Sequence, residues 1–202
     1  MNVGMNVGVV IMNPSGKYPE ALLNTLQTIF CKIEIIQSNE YTSHELENHI
    51  AESPIQKWIF TGSPVSVYEF SSPQVPMNIF DIPKKEFFLI CYSMESALRQ
   101  LEYPVLKRKE NRKEDFFLSF HREQYMQLFQ GVPNPALCMR NHHYYTPTLA
   151  FESKNSNIQL LSSYQNEAMI LVYKNCIMTQ FHPEKTDHGR QLLFNWMYGN
   201  SH

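Results

Sequence analysis

The stretch Phe87-Phe88-Leu89-Ile90-Cys91-Tyr92-Ser93-Met94-Glu95-Ser96-Ala97-Leu98 decides the fold. Its first five residues form an unbroken apolar run, too short for a helix and the right length for a strand buried on both faces. Directly after it, Met94, Ala97, Leu98 and Leu101 recur at offsets 0, 3, 4 and 7, which is one stripe of a helix. A buried strand that passes straight into a helix is the unit of a parallel sheet with crossover helices. The junction falls on a cysteine.

The same alternation runs back to the N-terminus. Val7–Met12 reads as a buried strand and Asn13-Pro14-Ser15-Gly16 as a turn. Leu22, Leu23, Leu26, Ile29 and Phe30 share one helix face, Lys32–Ile36 is a second strand, and Ser43 caps a short helix ending at Ile50. Lys57–Thr61 is a third strand, closed by Gly62-Ser63-Pro64, and a loop rich in Pro and Ser runs from Ser71 to Pro83. Beyond Leu101 the pattern changes. The charged run Lys107–Asp115 reads as a solvated loop, and Gln124–Phe129 as a short helix stopped by Gly131-Val132-Pro133. Strands follow at Phe116–Phe120, Ala136–Met139, Ile158–Ser162, Ala168–Tyr173 and Cys176–Phe181, the last two joined by a Lys174-Asn175 hairpin turn. Leu192, Leu193, Trp196 and Met197 form a final amphipathic helix. No linker divides the chain, so residues 1–202 are expected to form one α/β domain: a mostly parallel central sheet, helices on both faces and a small antiparallel extension.

Composition excludes several functions. A chain of 202 residues with 43% apolar and 18% charged residues has the hydrophobe for a core. A net charge of −2 supplies no field toward nucleic acid or anionic lipid. No apolar run approaches the ~20 residues that span a bilayer, and no charged segment followed by an apolar one marks a secretory signal. Seven glycines are about half the usual share. Neither G-x-G-x-x-G nor a Walker A sequence occurs, so a nucleotide cofactor is not expected. Cys31, Cys91, Cys138 and Cys176 form no C-x-x-C pair; reduced thiols in a cytoplasmic setting are the expectation, with Cys31, Cys138 and Cys176 in the core. The adjacent His142-His143 face opposite ways on a strand, which argues against a metal site.

Cys91 differs from the other three cysteines. At a strand-to-helix turn its sulfur meets the free N–H groups and the dipole of a helix N-terminus, which favour a thiolate. About ninety residues later comes Gln180-Phe181-His182-Pro183-Glu184. In an extended segment residues i and i+2 share a side, so Glu184 lies beside His182, the arrangement that orients a catalytic base. A cysteine at a turn, a distant histidine and its carboxylate are the parts of a nucleophilic triad.

These blocks resemble the class I, triad-type glutamine amidotransferases. Trp58-Ile59-Phe60-Thr61-Gly62-Ser63-Pro64-Val65-Ser66-Val67-Tyr68-Glu69 is similar to the strand and loop that supply an oxyanion-hole amide. Phe88-Leu89-Ile90-Cys91-Tyr92-Ser93-Met94-Glu95 resembles the nucleophile block, usually G-I-C-x-G-x-Q. Gln180–Glu184 with Gly189-x-x-Leu192-Leu193-x-Asn195 resembles the His–Glu block and closing helix, most like the glutaminase subunits of GMP synthase and of anthranilate or aminodeoxychorismate synthase. Leu128-Phe129-Gln130-Gly131-Val132-Pro133 and Asn141-His142-His143 lend weaker support. The resemblance implies a flavodoxin-like fold and Cys91, His182 and Glu184 as the triad. It further implies backbone N–H groups of Ser63 and Tyr92 as the oxyanion hole, and Gly62, Glu95, Asn141, His142 and His143 around the substrate. The substrate would be glutamine or another γ-glutamyl small molecule, and ammonia would pass to a partner synthetase.

Four positions depart from the family pattern. Leu89 and Ser93 stand where it has glycines flanking the nucleophile, Ser63 replaces a loop glycine, and Glu95 replaces a glutamine. A carboxylate at 95 would repel a substrate α-carboxylate or favour a cationic group. Three readings therefore stand side by side: a glutaminase serving a synthetase, a stand-alone hydrolase of a different γ-glutamyl amide, and a non-catalytic binding protein on the same fold.

Overall fold

A computed structural model describes residues 5–29, 32–121, 125–152 and 157–199. Phe30, Cys31 and Gln124 lie outside them. The elements are β1 (Asn6–Ile11), α1 (Glu20–Thr28), β2 (Lys32–Gln37), α2 (Ser43–Glu52), β3 (Lys57–Phe60), β4 (Glu86–Ile90), α3 (Tyr92–Gln100), β5 (Leu106–Leu118), β6 (Ala136–Tyr145), α4 (Leu149–Glu152), β7 (Ile158–Tyr164), β8 (Glu167–Tyr173), β9 (Cys176–Thr179) and α5 (Asp187–Tyr198). Seven strands form one sheet in the order β2-β1-β3-β4-β9-β8-β7. The pairs from β2 across to β9 are parallel, while β9-β8 and β8-β7 are antiparallel. The α/β class, the mostly parallel sheet and its antiparallel extension are as the sequence implied.

Strand alternation sorts the core into two. Val7 and Val9 of β1, Ile59 of β3 and Phe88 and Ile90 of β4 pack with Leu22 and Leu26 of α1 and Leu193 and Trp196 of α5. Val10 and Met12, Trp58 and Phe60, and Phe87 and Leu89 face the other way, onto Leu46 and Ile50 of α2 and Met94, Ala97 and Leu98 of α3. Leu89, where the family pattern has glycine, is thus a fully buried member of the second core. Gly8 pairs with Trp58 across β1 and β3, and a β-carbon at 8 would lie 2.1 Å from the Trp58 ring.

Two local expectations are corrected. Lys107–Asp115 is not a loop but most of β5, which pairs with β6 in a separate two-stranded antiparallel ribbon. Its residues are largely solvent-exposed as expected, and Phe116 and Leu118 enter the core only at its end. The described part of Gln124–Phe129 is not helical but a series of turns. The Asn195 side-chain amide donates to the carbonyls of Leu128 and Gln130 at 2.8 and 2.7 Å. Those carbonyls are thereby satisfied without helical partners. Smaller shifts also occur: Thr42 rather than Ser43 caps α2, in a capping box with Glu45, and β6 continues to Tyr145.

Gly8→Ala is expected to lower stability by about 1–3 kcal/mol through overpacking against Trp58. Thermal unfolding of the purified chain should show a midpoint lower by roughly 2–10 °C; an unchanged midpoint would contradict the close packing of β1 on β3.

Candidate active site

Three adjacent parallel strands, β3, β4 and β9, end at one place. Gly62 follows β3, Cys91 follows β4, and His182 lies just beyond β9. Cys91 takes φ +51° and ψ −105°, a strained conformation for a residue with a side chain. It is held by its neighbours: its N–H donates to the Thr179 carbonyl at 2.7 Å, and its carbonyl accepts the Glu95 N–H at 3.1 Å to open α3. The turn sets the buried Cys91 as the N-cap of a nine-residue helix.

His182 is extended, and Pro183 begins a one-turn 3-10 helix, Pro183–Lys185, a place where its missing N–H costs nothing. The turn swings Glu184 back so that its Oε1 lies 2.9 Å from His182 Nδ1. The His182 N–H donates to the Met139 carbonyl on β6 at 2.8 Å, and α5 presses Gly189 against the turn; a β-carbon there would lie 2.3 Å from the Pro183 carbonyl oxygen. Gly62 completes the approach. A β-carbon at 62 would sit 3.1 Å from His182 Cε1 and 3.6 Å from Cys91 Cβ, so the imidazole and the cysteine flank the same small gap. With Nδ1 bonded to the carboxylate, Nε2 is the nitrogen free to exchange a proton.

Residues 10–199 match the family model for class I glutamine amidotransferases. This chain belongs to that family. GMP synthase (glutamine-hydrolysing) of Ruminiclostridium cellulolyticum is 26% identical over 199 residues, which cover 96% of this chain and 36% of that protein. The enzyme of the same name from Caldicellulosiruptor saccharolyticus is 25% identical, covering 94% and 36%. The chain therefore spans about a third of the length of these curated relatives. Among solved structures, a GMP synthase subunit protein from Thermoplasma acidophilum superimposes with a TM-score of 0.71 at 17% identity, covering 96% of this chain and 92% of that one. A glutamine amidotransferase from Thermotoga maritima gives 0.63 at 13% identity, covering 96% and 80%. Both show a shared fold.

Within this amidotransferase fold two of the departing residues, Ser93 and Glu95, have side-chain hydrogen-bond partners. The Ser93 hydroxyl donates to the Thr61 carbonyl at 2.5 Å, tying the start of α3 to the loop after β3. Ser63 has no positive φ, so its backbone does not demand glycine, and its buried hydroxyl oxygen has no hydrogen-bond partner among the described residues. Glu95 is buried beside Cys91, and its Oε1 accepts the Gln180 Nε2–H at 2.8 Å. Burial pushes its carboxyl up to about 8, against a smaller lowering by Gln180. Burial likewise raises the Cys91 thiol well above its usual range, and the Glu95 charge adds to that; the Tyr92 N–H, pointing at the sulfur, opposes it. The Cys91 sulfur faces the Asn141 carbonyl at 3.8 Å, so this thiol rests in its neutral form.

The remaining sequence candidates separate. Asn141 meets Cys91 through its main chain, while its side-chain oxygen accepts from Asn111 across the ribbon. His142 points into a buried polar cluster, its Nδ1 bonded to the Tyr144 carbonyl at 2.6 Å and its Nε2 lying 3.7 Å from Glu167 Oε2. Burial lowers the His142 imidazole to about 4, so it is neutral. His143 is exposed. Among the described residues no group of three or more His, Cys, Asp or Glu is arranged to hold a metal, and no helix is long and apolar enough to cross a membrane. Sequence reasoning gave Gln180 no role; the i, i+2 relation that links Glu184 to His182 also links His182 to Gln180, and would have placed it here.

These two shifts set a pH dependence of stability. Glu95 is raised on folding, so its contribution is complete below the ordinary 4.5 and is lost as pH rises toward about 8. His142 is lowered on folding, so its contribution is complete above the ordinary 6.5 and is lost as pH falls toward about 4. The two opposite slopes cancel where the windows overlap, leaving the Glu95 loss above pH 6.5. That loss is about 2 kcal/mol by pH 8, a fall in melting temperature of roughly 4–8 °C. In Glu95→Gln the decline between pH 6.5 and 8 should be smaller by that amount, as calorimetry at several pH values would show.

Proposed function

We propose that this chain hydrolyses the γ-amide of glutamine through a Cys91–His182–Glu184 triad and supplies ammonia to a synthetase. The observation that carries the reading is the Glu184–His182 pair brought against Cys91 across Gly62 at the ends of three strands. Family membership supports the reaction class, and the GMP synthase relatives support a synthetase acceptor, carried on a further part of the chain or on a separate protein. Free buried thiols at Cys91, Cys138 and Cys176 support a reducing, cytoplasmic setting.

In this reading the reaction is an acyl transfer through a thioester. His182 Nε2 takes the Cys91 proton as the sulfur attacks the carbonyl carbon of the γ-carboxamide, forming a C–S bond while the C=O π pair moves onto oxygen. Glu184 fixes the imidazole tautomer and stabilises the imidazolium. The backbone N–H groups of Tyr92 and Ser63 receive the developing oxyanion, each worth ~10²–10³ in rate; the Tyr92 N–H already faces the sulfur. Collapse breaks the C–N bond, and the imidazolium returns its proton to the leaving ammonia. Water, deprotonated by the same nitrogen, then cleaves the thioester and releases glutamate. Residues 1–202 act as one glutaminase unit in this reading.

Incubation with the glutamine-mimicking electrophile 6-diazo-5-oxo-norleucine should add one group to the intact mass, absent in Cys91→Ala. Glu184→Gln should slow the labelling by roughly 10²–10⁴-fold. No adduct from a chain whose Cys91 still reacts with iodoacetamide would overturn glutamine as the substrate and favour another γ-glutamyl amide. Silence toward both reagents would favour the non-catalytic reading.

A further inference from the structure

Glu95 and Cys91 share one amide. Glu95 lies one helical turn after Cys91, closes the first bond of α3 onto its carbonyl, and turns its carboxyl inward. Gln180 Nε2 stands 2.8 Å from Glu95 Oε1 and 3.8 Å from Cys91 Sγ. Gln180 Oε1 is buried with no partner among the described residues. No salt bridge to Glu95 occurs among the described residues, and the neighbouring Arg99 is turned away to the Val67 carbonyl and the Tyr68 ring. The titratable groups around it are Cys91 and Tyr92 on its own element and His182 and Glu184 from the turn after β9, and the last two are paired with each other. The pocket therefore holds a carboxyl and a thiol against one neutral amide, and among the described residues His182, the group placed to turn cationic beside the sulfur, is already paired with Glu184.

We propose that Glu95 is a positioning residue whose charge state governs Cys91: as the neutral acid it permits a thiolate beside the shared Gln180 amide, and as a carboxylate it suppresses one. Two like charges this close cannot both form at ordinary pH, so the site carries one negative charge that the two groups compete for. Below the Glu95 midpoint the thiolate fraction climbs with pH as for any thiol. Above it the carboxyl holds the charge, and the thiolate fraction stops climbing. A glutamine at this position would keep the shape and the hydrogen bond to Gln180 while removing the competitor. The physiological meaning rests on the reading of Cys91 as nucleophile, but the sharing of charge does not depend on glutamine as substrate.

The test reads the thiol directly. The second-order rate of Cys91 alkylation by iodoacetamide is followed by intact mass from pH 6.5 to 9.5, with Cys91→Ala to identify labelling at other cysteines. For the wild type the rate should rise with pH and flatten near pH 8. For Glu95→Gln it should keep rising, so that the variant-to-wild-type ratio grows from within about twofold at pH 6.5 to about tenfold or more at pH 9.5. A ratio that stays constant with pH, including no reaction in either protein, overturns the proposal; loosened packing alone would raise both ends equally. If the variant does not fold, the wild-type profile decides: a plateau supports the proposal, and a steady tenfold rise per pH unit overturns it. Failure of diazo-oxo-norleucine labelling would bear on glutamine as substrate and leave this result standing.

Discussion

The left-handed turn at Cys91 is the constraint on which the rest of the site depends. A side-chain-bearing residue at φ +51° stays there because its main chain is fixed on both sides. β9 accepts its N–H through Thr179, and α3 begins on its carbonyl. The same β9 then delivers His182 two residues beyond Gln180. Pairing β4 with β9, two strands about ninety residues apart, therefore sets the sulfur and the imidazole in one act. The resemblance to glutamine amidotransferases rests on this junction, and its loss would separate every other group in the site.

Around the turn, main-chain contacts do much of the positioning. β6 offers two carbonyls to the site, Met139 to the His182 N–H and Asn141 to the Cys91 sulfur. Between them Arg140, fully buried, bonds Glu114, Glu167 and Gln165, so the strand is pinned from its far side. Leu137 N–H donates to His188 on α5, which holds the other end. The exposed, charged β5 thus has a structural consequence: it is the partner that keeps β6 in register behind Cys91.

The departures from the family pattern do not weaken the frame. Leu89 joins a core that Gly8 leaves open for Trp58, and Ser93 adds a hydrogen bond where a glycine would make none. Glu95 is different in kind. Buried carboxyls without a cation are costly, and this one sits where it opposes charge on the sulfur. Several buried polar atoms nearby, Ser63 Oγ, Gln180 Oε1 and Glu184 Oε2, lack partners among the described residues. Unpaired polar groups are costly in a packed interior, and their gathering at one strand-end cluster marks it as a place built for polar company.

The sequence by itself determined the parallel sheet and singled out Cys91, His182 and Glu184, which the fold brings together. Runs such as Phe87–Ile90 and Val7–Ile11 are buried on both faces, so their hydrophobicity is continuous and local. The His182–Glu184 spacing carries its own geometry. What lay beyond it has a common cause. β5 exposes both faces, so no period-two pattern marks Lys107–Asp115 as a strand; its partner is supplied from β6. The turns ending at Gly131 look helical in isolation, but Asn195 from the far end of the chain takes their carbonyls. His142 reads as a pocket residue from its place in the motif, and the fold adds a buried cluster with Arg140 and Glu167 around it. Glu95 reads as a substrate contact from its place in the motif, and the fold adds Gln180 as its hydrogen-bond partner. Wherever burial or a hydrogen-bond partner comes from a distant segment, the tertiary structure decides, because those terms depend on contacts that no local window of sequence contains.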